Sequence, residues 1–283
     1  MPKVGIVTDS LADIPDDLAA ELGIVVVRCQ VHVGRQTFLD GIELTKADAI
    51  RLLREGPPYP TTASPPVGAF VEAYRQLAQQ VDHIVSIHLA SNLSTLYNAA
   101  RLAIEMVPEI DVTLVDSRQL TMCTGWLAIA AARAAQSGAS VDEIKRLVQD
   151  LIPRLRLVGV IDDLSHLARS GRVGLVTSLL GTALRIKPIF QVQEGQVGLL
   201  EKARTRRKAM ARLVKHVAAY GPLEQAVVLH LDAPKQAAEL AEQIARYLPG
   251  YPLGIAEAGV AIGTHLGPGC VGLALVLANG HVA

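Results

Sequence analysis

Gly263-Thr264-His265-Leu266-Gly267-Pro268-Gly269-Cys270, followed by Val271-Gly272-Leu273-Ala274-Leu275-Val276-Leu277, is the stretch on which the fold reading turns. Gly267, Gly269 and Gly272 match the G-x-G-x-x-G pattern of dinucleotide-binding folds. In those folds the glycines follow a strand and open a helix, so that a pyrophosphate meets the helix N-terminus. Here they lead into an apolar run that reads as a strand, so the match is not a nucleotide fingerprint. What is left is one histidine in a glycine- and proline-rich turn. Such a turn lets backbone approach a ligand closely, and an imidazole there can donate a hydrogen bond to an anion.

Upstream, the first half alternates strand and helix. Val4–Asp9, Ile24–Val33, His83–Leu89 and Val112–Asp116 are apolar or β-branched runs fit for buried strands. Between and after them, helices are expected over Pro15–Leu22, Lys46–Glu55, Val67–Gln80, Leu93–Met106, Thr121–Ser137 and Val141–Leu155. Gly23 and Gly56-Pro57-Pro58 supply stops, and Ser91 and Asn92 are available as caps. This alternation argues for a mainly parallel sheet with helices on both faces. In the second half, strands at Ile186–Gln193 and Val197–Ala203 flank Glu194-Gly195-Gln196, a hairpin turn. Further strands are expected at Leu157–Ile161, Ala226–Leu231, Leu253–Ala258 and Val271–Leu277, and helices at Leu164–Ser170, Leu179–Leu184, Arg207–Tyr220 and Lys235–Leu248. A hairpin among βαβ units implies a mixed sheet. The reading is α/β with two domains, 1–155 and 156–283, divided near Pro153–Leu157.

The 283 residues suffice for two domains of roughly 150 residues each. Hydrophobic residues make up 50% and charged residues 19%, with a mean hydropathy of +0.31, a globular composition. The 27 basic and 27 acidic residues cancel, which removes the electrostatic case for nucleic acid. Cys29, Cys123 and Cys270 are odd in number and far apart, so neither a disulfide framework nor a metal site is indicated. No apolar run approaches the ~20 residues of a membrane span, and the N-terminal apolar stretch is too short for a signal peptide. The expectation is a soluble cytoplasmic protein without stable membrane insertion.

In an open α/β sheet ligands bind outside the carboxyl ends of the strands, so polar residues there carry weight. Thr8-Asp9-Ser10, Ser91-Asn92-Leu93-Ser94-Thr95 and Asp116-Ser117-Arg118 follow strands. Thr61, Thr62 and Ser64 precede Pro65 and are placed at a helix start, as Ser94 and Thr95 are. Taken singly these hydroxyls fit N-capping. Together with His265 they make a convergent site for a carboxylate or phosphate, held without a full opposing charge. No G-x-S-x-G, P-loop or H-E-x-x-H occurs. Asp9, Asp116, Asp162 and Asp163 fit capping or turn formation, and His83, His88, His166 and His230 fit structural roles. The basic cluster from Lys202 through Arg204 and Arg206 to Arg212 reads either as a solvated helix start or as a partner or phosphate site.

These segments together resemble the DegV family, fatty-acid-binding proteins related in fold to dihydroxyacetone kinase. The resemblance runs over Val7-Thr8-Asp9-Ser10 with Asp13-Ile14-Pro15, Thr61-Thr62 before Pro65, and Ser91-Asn92-Leu93-Ser94 with Tyr97. It continues through Val115-Asp116-Ser117-Arg118, Ile161-Asp162-Asp163-Leu164 as far as Gly171-Arg172, Ile186-Lys187-Pro188, Lys202-Ala203-Arg204 and His265-x-Gly267-Pro268-Gly269. It implies a long-chain fatty acid buried between two domains. It also implies a separate kinase that phosphorylates the bound acid to an acyl phosphate for phospholipid synthesis. By position Thr62 and Ser94 match the carboxylate ligands, with Thr61 and Thr95 beside them, and His265 matches the histidine near the headgroup. Arg204, with Arg172, matches basic residues of the phosphoryl-transfer step. No cofactor or metal is implied. The alternative is a phosphotransferase-like enzyme on a small hydroxyketone or other small anion. The chain departs from the family at Ala63-Ser64, where one hydroxyl is lost and another shifted, and at Thr95-Leu96, where a Gly-Thr pair is usual.

Overall fold

The computed structural model describes residues 3–171, 186–248 and 253–278. The expected helix over residues 179–184 and Arg172 lie outside them. The chain forms a two-domain α/β architecture on a four-stranded parallel sheet and a six-stranded mixed sheet. Elements are numbered in chain order.

The parallel sheet takes β1 (Val4–Asp9), β2 (Ile24–Val27), β6 (His83–His88) and β7 (Val112–Asp116) in the order β2-β1-β6-β7. On one face lie α3 (Val67–Leu77) and α4 (Leu96–Glu105), whose Phe70, Tyr74 and Ala100 share a core with Val7 and Ile84. The opposite face receives α5 (Met122–Gln136). A helix that is apolar on all sides belongs in an interior, and α5 packs on β1 and β6 as well as on the second sheet. Its small residues permit this: a Cβ added at Gly125 would stand 2.6 Å from the carbonyl oxygen of Ala12.

The second sheet takes β8 (Leu155–Val160), β9 (Lys187–Gln193), β10 (Gln196–Ala203), β11 (Leu223–His230), β12 (Gly254–Glu257) and β13 (Val271–Leu277). Their order is β10-β9-β8-β13-β11-β12. β13 runs antiparallel between β8 and β11, so the glycine-rich stretch does feed a strand. Glu194 (φ 49°) and Gly195 (φ 79°) make the two-residue turn joining β9 to β10, with the positive φ pair that matches strand twist. α8 (Arg206–Ala219) and α9 (Pro234–Ile244) cover one face, where Leu213 and Leu240 meet Val158 and Leu273.

Three expectations are corrected. The run Ile24–Val33 is not one strand. β2 ends at Val27, and β3 (Gln30–Val33) joins β4 (Gln36–Leu39) and β5 (Thr61–Ala63) in a separate antiparallel sheet, ordered β4-β3-β5. Both halves of the run are β-branched, so local propensity carries no mark of the switch. Thr61 and Thr62 therefore lie on β5, paired to β3 with Thr62 opposite Val31, and not at a helix start. His265 lies in the last turn of a short helix, α10 (Val260–Leu266), rather than in the turn that follows at Gly267 (φ 75°) and Gly269 (φ 89°). Glycine at 259 and 263 lowers the helical signal of this segment.

Candidate functional site

A cavity of about 630 Å³ lies between the six-stranded sheet and the loops of the parallel sheet. Strand alternation builds its floor. Leu157 and Ile161, Phe190 and Val192, Gly272 and Leu229 line it, whereas Val158, Ile189, Leu273 and Val228, one residue along, pack under the helices. Across the strands Phe190 pairs with Gly159, Gly159 with Gly272, and Gly272 with Leu229. Of the two glycines, Gly272 lines the cavity beside Leu229, and Gly159 makes room for the Phe190 side chain. The Phe190 ring lies over Gly159, where an added Cβ would stand 2.9 Å from it. Cys29 and Cys270 also line the wall, and burial raises both thiols, Cys270 to about 12. They stay protonated and act as apolar surface.

The cavity ends in a polar cluster. Thr62 Oγ1 lies 2.8 Å from His265 Nε2. Ser64 Oγ lies 2.8 Å from Thr95 Oγ1 and 3.3 Å from Ser94 Oγ. Thr62 comes from β5, Ser94 and Thr95 from the loop between β6 and α4, and His265 from α10. All five residues line the cavity, and among the described residues no lysine or arginine does. Ser64 links two members of the cluster, so the shifted hydroxyl falls beside Ser94 and Thr95. Leu96 instead turns into the core, fully buried.

Thr61 does not line the cavity. It is exposed because alternation along β5 turns it away from the face that Thr62 occupies. Ser91 and Asn92 do not cap α4; the Leu96 N–H donates to Ser94 Oγ at 3.2 Å. Asn92 Nδ2 donates instead to the Gly195 carbonyl at 2.6 Å, and the Gly195 N–H donates to the Arg118 carbonyl at 2.7 Å. The hairpin tip of one sheet is thereby bonded to loops of the other. Arg204 is exposed between β10 and α8 and does not line the cavity; Thr205 beside it caps α8. His230 does line it, and burial pushes its imidazole pKa down. It stands at the end of β11, between Leu229 and Leu231, which also line the cavity.

A second polar cluster stands below the first. His88 Nδ1 lies 2.9 Å from Asp9 Oδ2, His88 Nε2 lies 2.7 Å from Ser86 Oγ, and Ser86 Oγ lies 2.9 Å from Tyr74 OH. This is the connectivity of a Ser-His-Asp triad. All four residues are fully buried, so no substrate reaches Ser86. Asp9 also accepts the N–H groups of Leu11 and Leu89, and the network serves to lock β1 to β6. Asp116 and Asp163 accept nearby N–H groups as expected of turn carboxylates, whereas Asp162 pairs with Lys187 and Arg206.

The family model described as "Uncharacterised protein, DegV family" matches residues 3–278. Protein DegV of Bacillus subtilis is 32% identical over 275 residues, covering 96% of this chain and 98% of its own length. A DegV domain-containing protein of Streptomyces coelicolor is 36% identical over 274 residues, covering 95% and 97%. Among solved structures, a DegV family protein from Thermus thermophilus, described by its fatty acid binding, superposes with a TM-score of 0.90 at 29% identity. That match covers 98% of this chain and 100% of the other. The structure of DegV from Bacillus subtilis, described as a fatty acid binding protein, gives 0.89 at 30% identity with the same coverage. Matched end to end in sequence and in fold, the chain belongs to the DegV family.

Proposed function

We propose that this protein binds a long-chain fatty acid in the cavity between its two domains, divided near residue 155. The carboxylate lies at Thr62, Ser94 and His265, with Ser64 and Thr95 completing the cluster. The observation that carries this reading is an apolar cavity ending in hydroxyls and an imidazole, with no lysine or arginine among the described residues that line it. The volume lies in the range of small-molecule sites. The fatty acid binding of the two structural relatives supports it. At about 0.8 kcal/mol per buried methylene, a tail of ~15 methylenes supplies ~12 kcal/mol before ordering costs. The tail sets affinity, and the neutral donors set direction.

The finer part of the proposal is presentation to a separate fatty acid kinase that forms the acyl phosphate. Thr95 is exposed and Ser64 and Ser94 are half-buried, so the headgroup end is within reach of a partner. Arg204 offers an exposed cation for docking; the same role is proposed for Arg172 from sequence alone.

Titration with a C16 acid and the C16 alcohol tests the reading. His265→Ala and Thr62→Val should weaken the acid by about 10- to 100-fold, since a hydrogen bond to a charged group contributes about 1.5–3 kcal/mol, and leave the alcohol nearly unchanged. Arg204→Glu should keep acid binding and lose acyl phosphate formation by an added kinase. A wild-type chain that takes up neither ligand overturns the binding reading. Full turnover with Arg204→Glu overturns that role for Arg204.

A further inference from the structure

His265 rides on a helix that is held from outside its own domain. α10 is seven residues long, and its first residue, Val260, is buried among Val31, Leu44 and Ala49 of the N-terminal domain. Its N-terminus meets two carboxylates of that domain. The Gly259 N–H donates to Asp13 Oδ1 at 2.9 Å. Burial raises the pKa of the Asp40 carboxyl, the Ala261 amide acts to lower it, and Asp40 accepts Ser10 Oγ at 2.7 Å. The fit at the first contact is close: a Cβ on residue 259 would stand 2.6 Å from Asp13 Oδ1. Asp13 itself sits in the left-handed region, φ 53°, unusual for a residue with a side chain.

These carboxylates are costly to place. Asp13 Oδ2 is buried without a hydrogen-bond partner. Burial raises the Asp13 carboxyl to about 7, with Asp40 and Asp9 adding to the rise and Lys46 and the Gly259 amide opposing it. α10 is buried from Val260 through Thr264, so its first N–H groups need acceptors from the protein, and Asp13 supplies one. That contact fixes a functional element. From residue 259 to residue 265 the helix advances about 9 Å, so tilt at the N-terminus displaces the imidazole at the other end.

We propose that Asp13, together with Asp40, is a positioning residue for the headgroup site. It anchors α10 from the opposite domain so that His265 Nε2 stands within hydrogen-bond reach of Thr62 Oγ1. This rests on the fatty acid reading above. Asp13 touches neither the cavity nor the ligand, and its effect passes through α10.

The experiment compares dissociation constants of the C16 acid and the C16 alcohol for the full chain and its Asp13→Ala, Asp13→Asn and His265→Ala variants. Asp13→Ala should weaken the acid about tenfold or more and the alcohol less than about twofold. Asp13→Asn keeps an acceptor for Gly259 and should return to within about threefold of the parent chain. Combining Asp13→Ala with His265→Ala should add little to His265→Ala alone, since both remove one interaction. If Asp13→Ala does not fold, Asp13→Ser, too short to reach Gly259, carries the same outcomes. Equal weakening of acid and alcohol, or no weakening of the acid, overturns the proposal. A parent chain that binds neither ligand overturns the fatty acid reading instead.

Discussion

Thr62 and His265 are 203 positions apart in sequence and 2.8 Å apart in space. Each is legible alone as a polar residue near an apolar run, but their meeting depends on β5 and α10, whose placement no local pattern announces. Ser64 shows the same limit: its hydroxyl is visible in the sequence, and its link to Thr95 is not. At this scale Asp13 also sets a pH dependence. Its carboxyl is raised to about 7 in the folded chain from an ordinary value of 3.8. Folding therefore takes up a proton between these values, and the stability tied to it is present below about pH 4 and lost as pH rises through about 7. His166 and His230, whose pKa values are lowered, act in the opposite direction. Unfolding curves of the parent and Asp13→Asn chains at about pH 5 and pH 8 separate the two. The parent should lose more stability than the variant toward pH 8, because asparagine cannot ionise. Parallel curves would remove the carboxylate from the account.

Strands and helices differ in how openly the sequence states them. β1, β7, β13 and α2 (Lys46–Glu55) fall where apolar runs and the Gly56-Pro57-Pro58 stop place them. β3, β4 and β5 are short, and they exist because they pair with one another. Their tertiary pairing overrides weak local preference. α10 is obscured by its glycines, yet Gly259 is required by the approach of Asp13. The cavity floor belongs to this scale as well. Its shape follows from the register that sets Gly159 under the Phe190 ring and Gly272 beside Leu229, information that resides in strand pairing. Val192 faces the cavity from β9, one row from Phe190. Val192→Phe should therefore fill space reserved for the tail. Its affinity for a C18 acid should fall about tenfold or more while a C10 acid is held nearly as before, at about 1–3 kcal/mol of strain if the ring is forced into packed atoms. Chain-length titration reads this directly, and an unchanged preference would place the tail elsewhere.

At the scale of the molecule, two sheets share α5 and enclose one cavity, with further ties at the Gly195 hairpin and at α10. The α/β class and the two-domain architecture are legible because strand–helix alternation in the first half and a hairpin in the second require different sheets. The interior between them is not, because it is the sum of long-range pairings. The buried Asp9–His88 network ties the C-terminal ends of β1 and β6, the two inner strands of the parallel sheet. A ligand that binds only the folded chain at 100 times its dissociation constant stabilises it by about 2.7 kcal/mol. Native mass spectrometry of the gently purified chain, repeated after delipidation and addition of a C16 acid, tests the central claim most directly. The account predicts a one-to-one adduct of fatty-acid mass, lost on delipidation and restored on addition of the acid. A chain that emerges empty and stays empty in excess acid would contradict it.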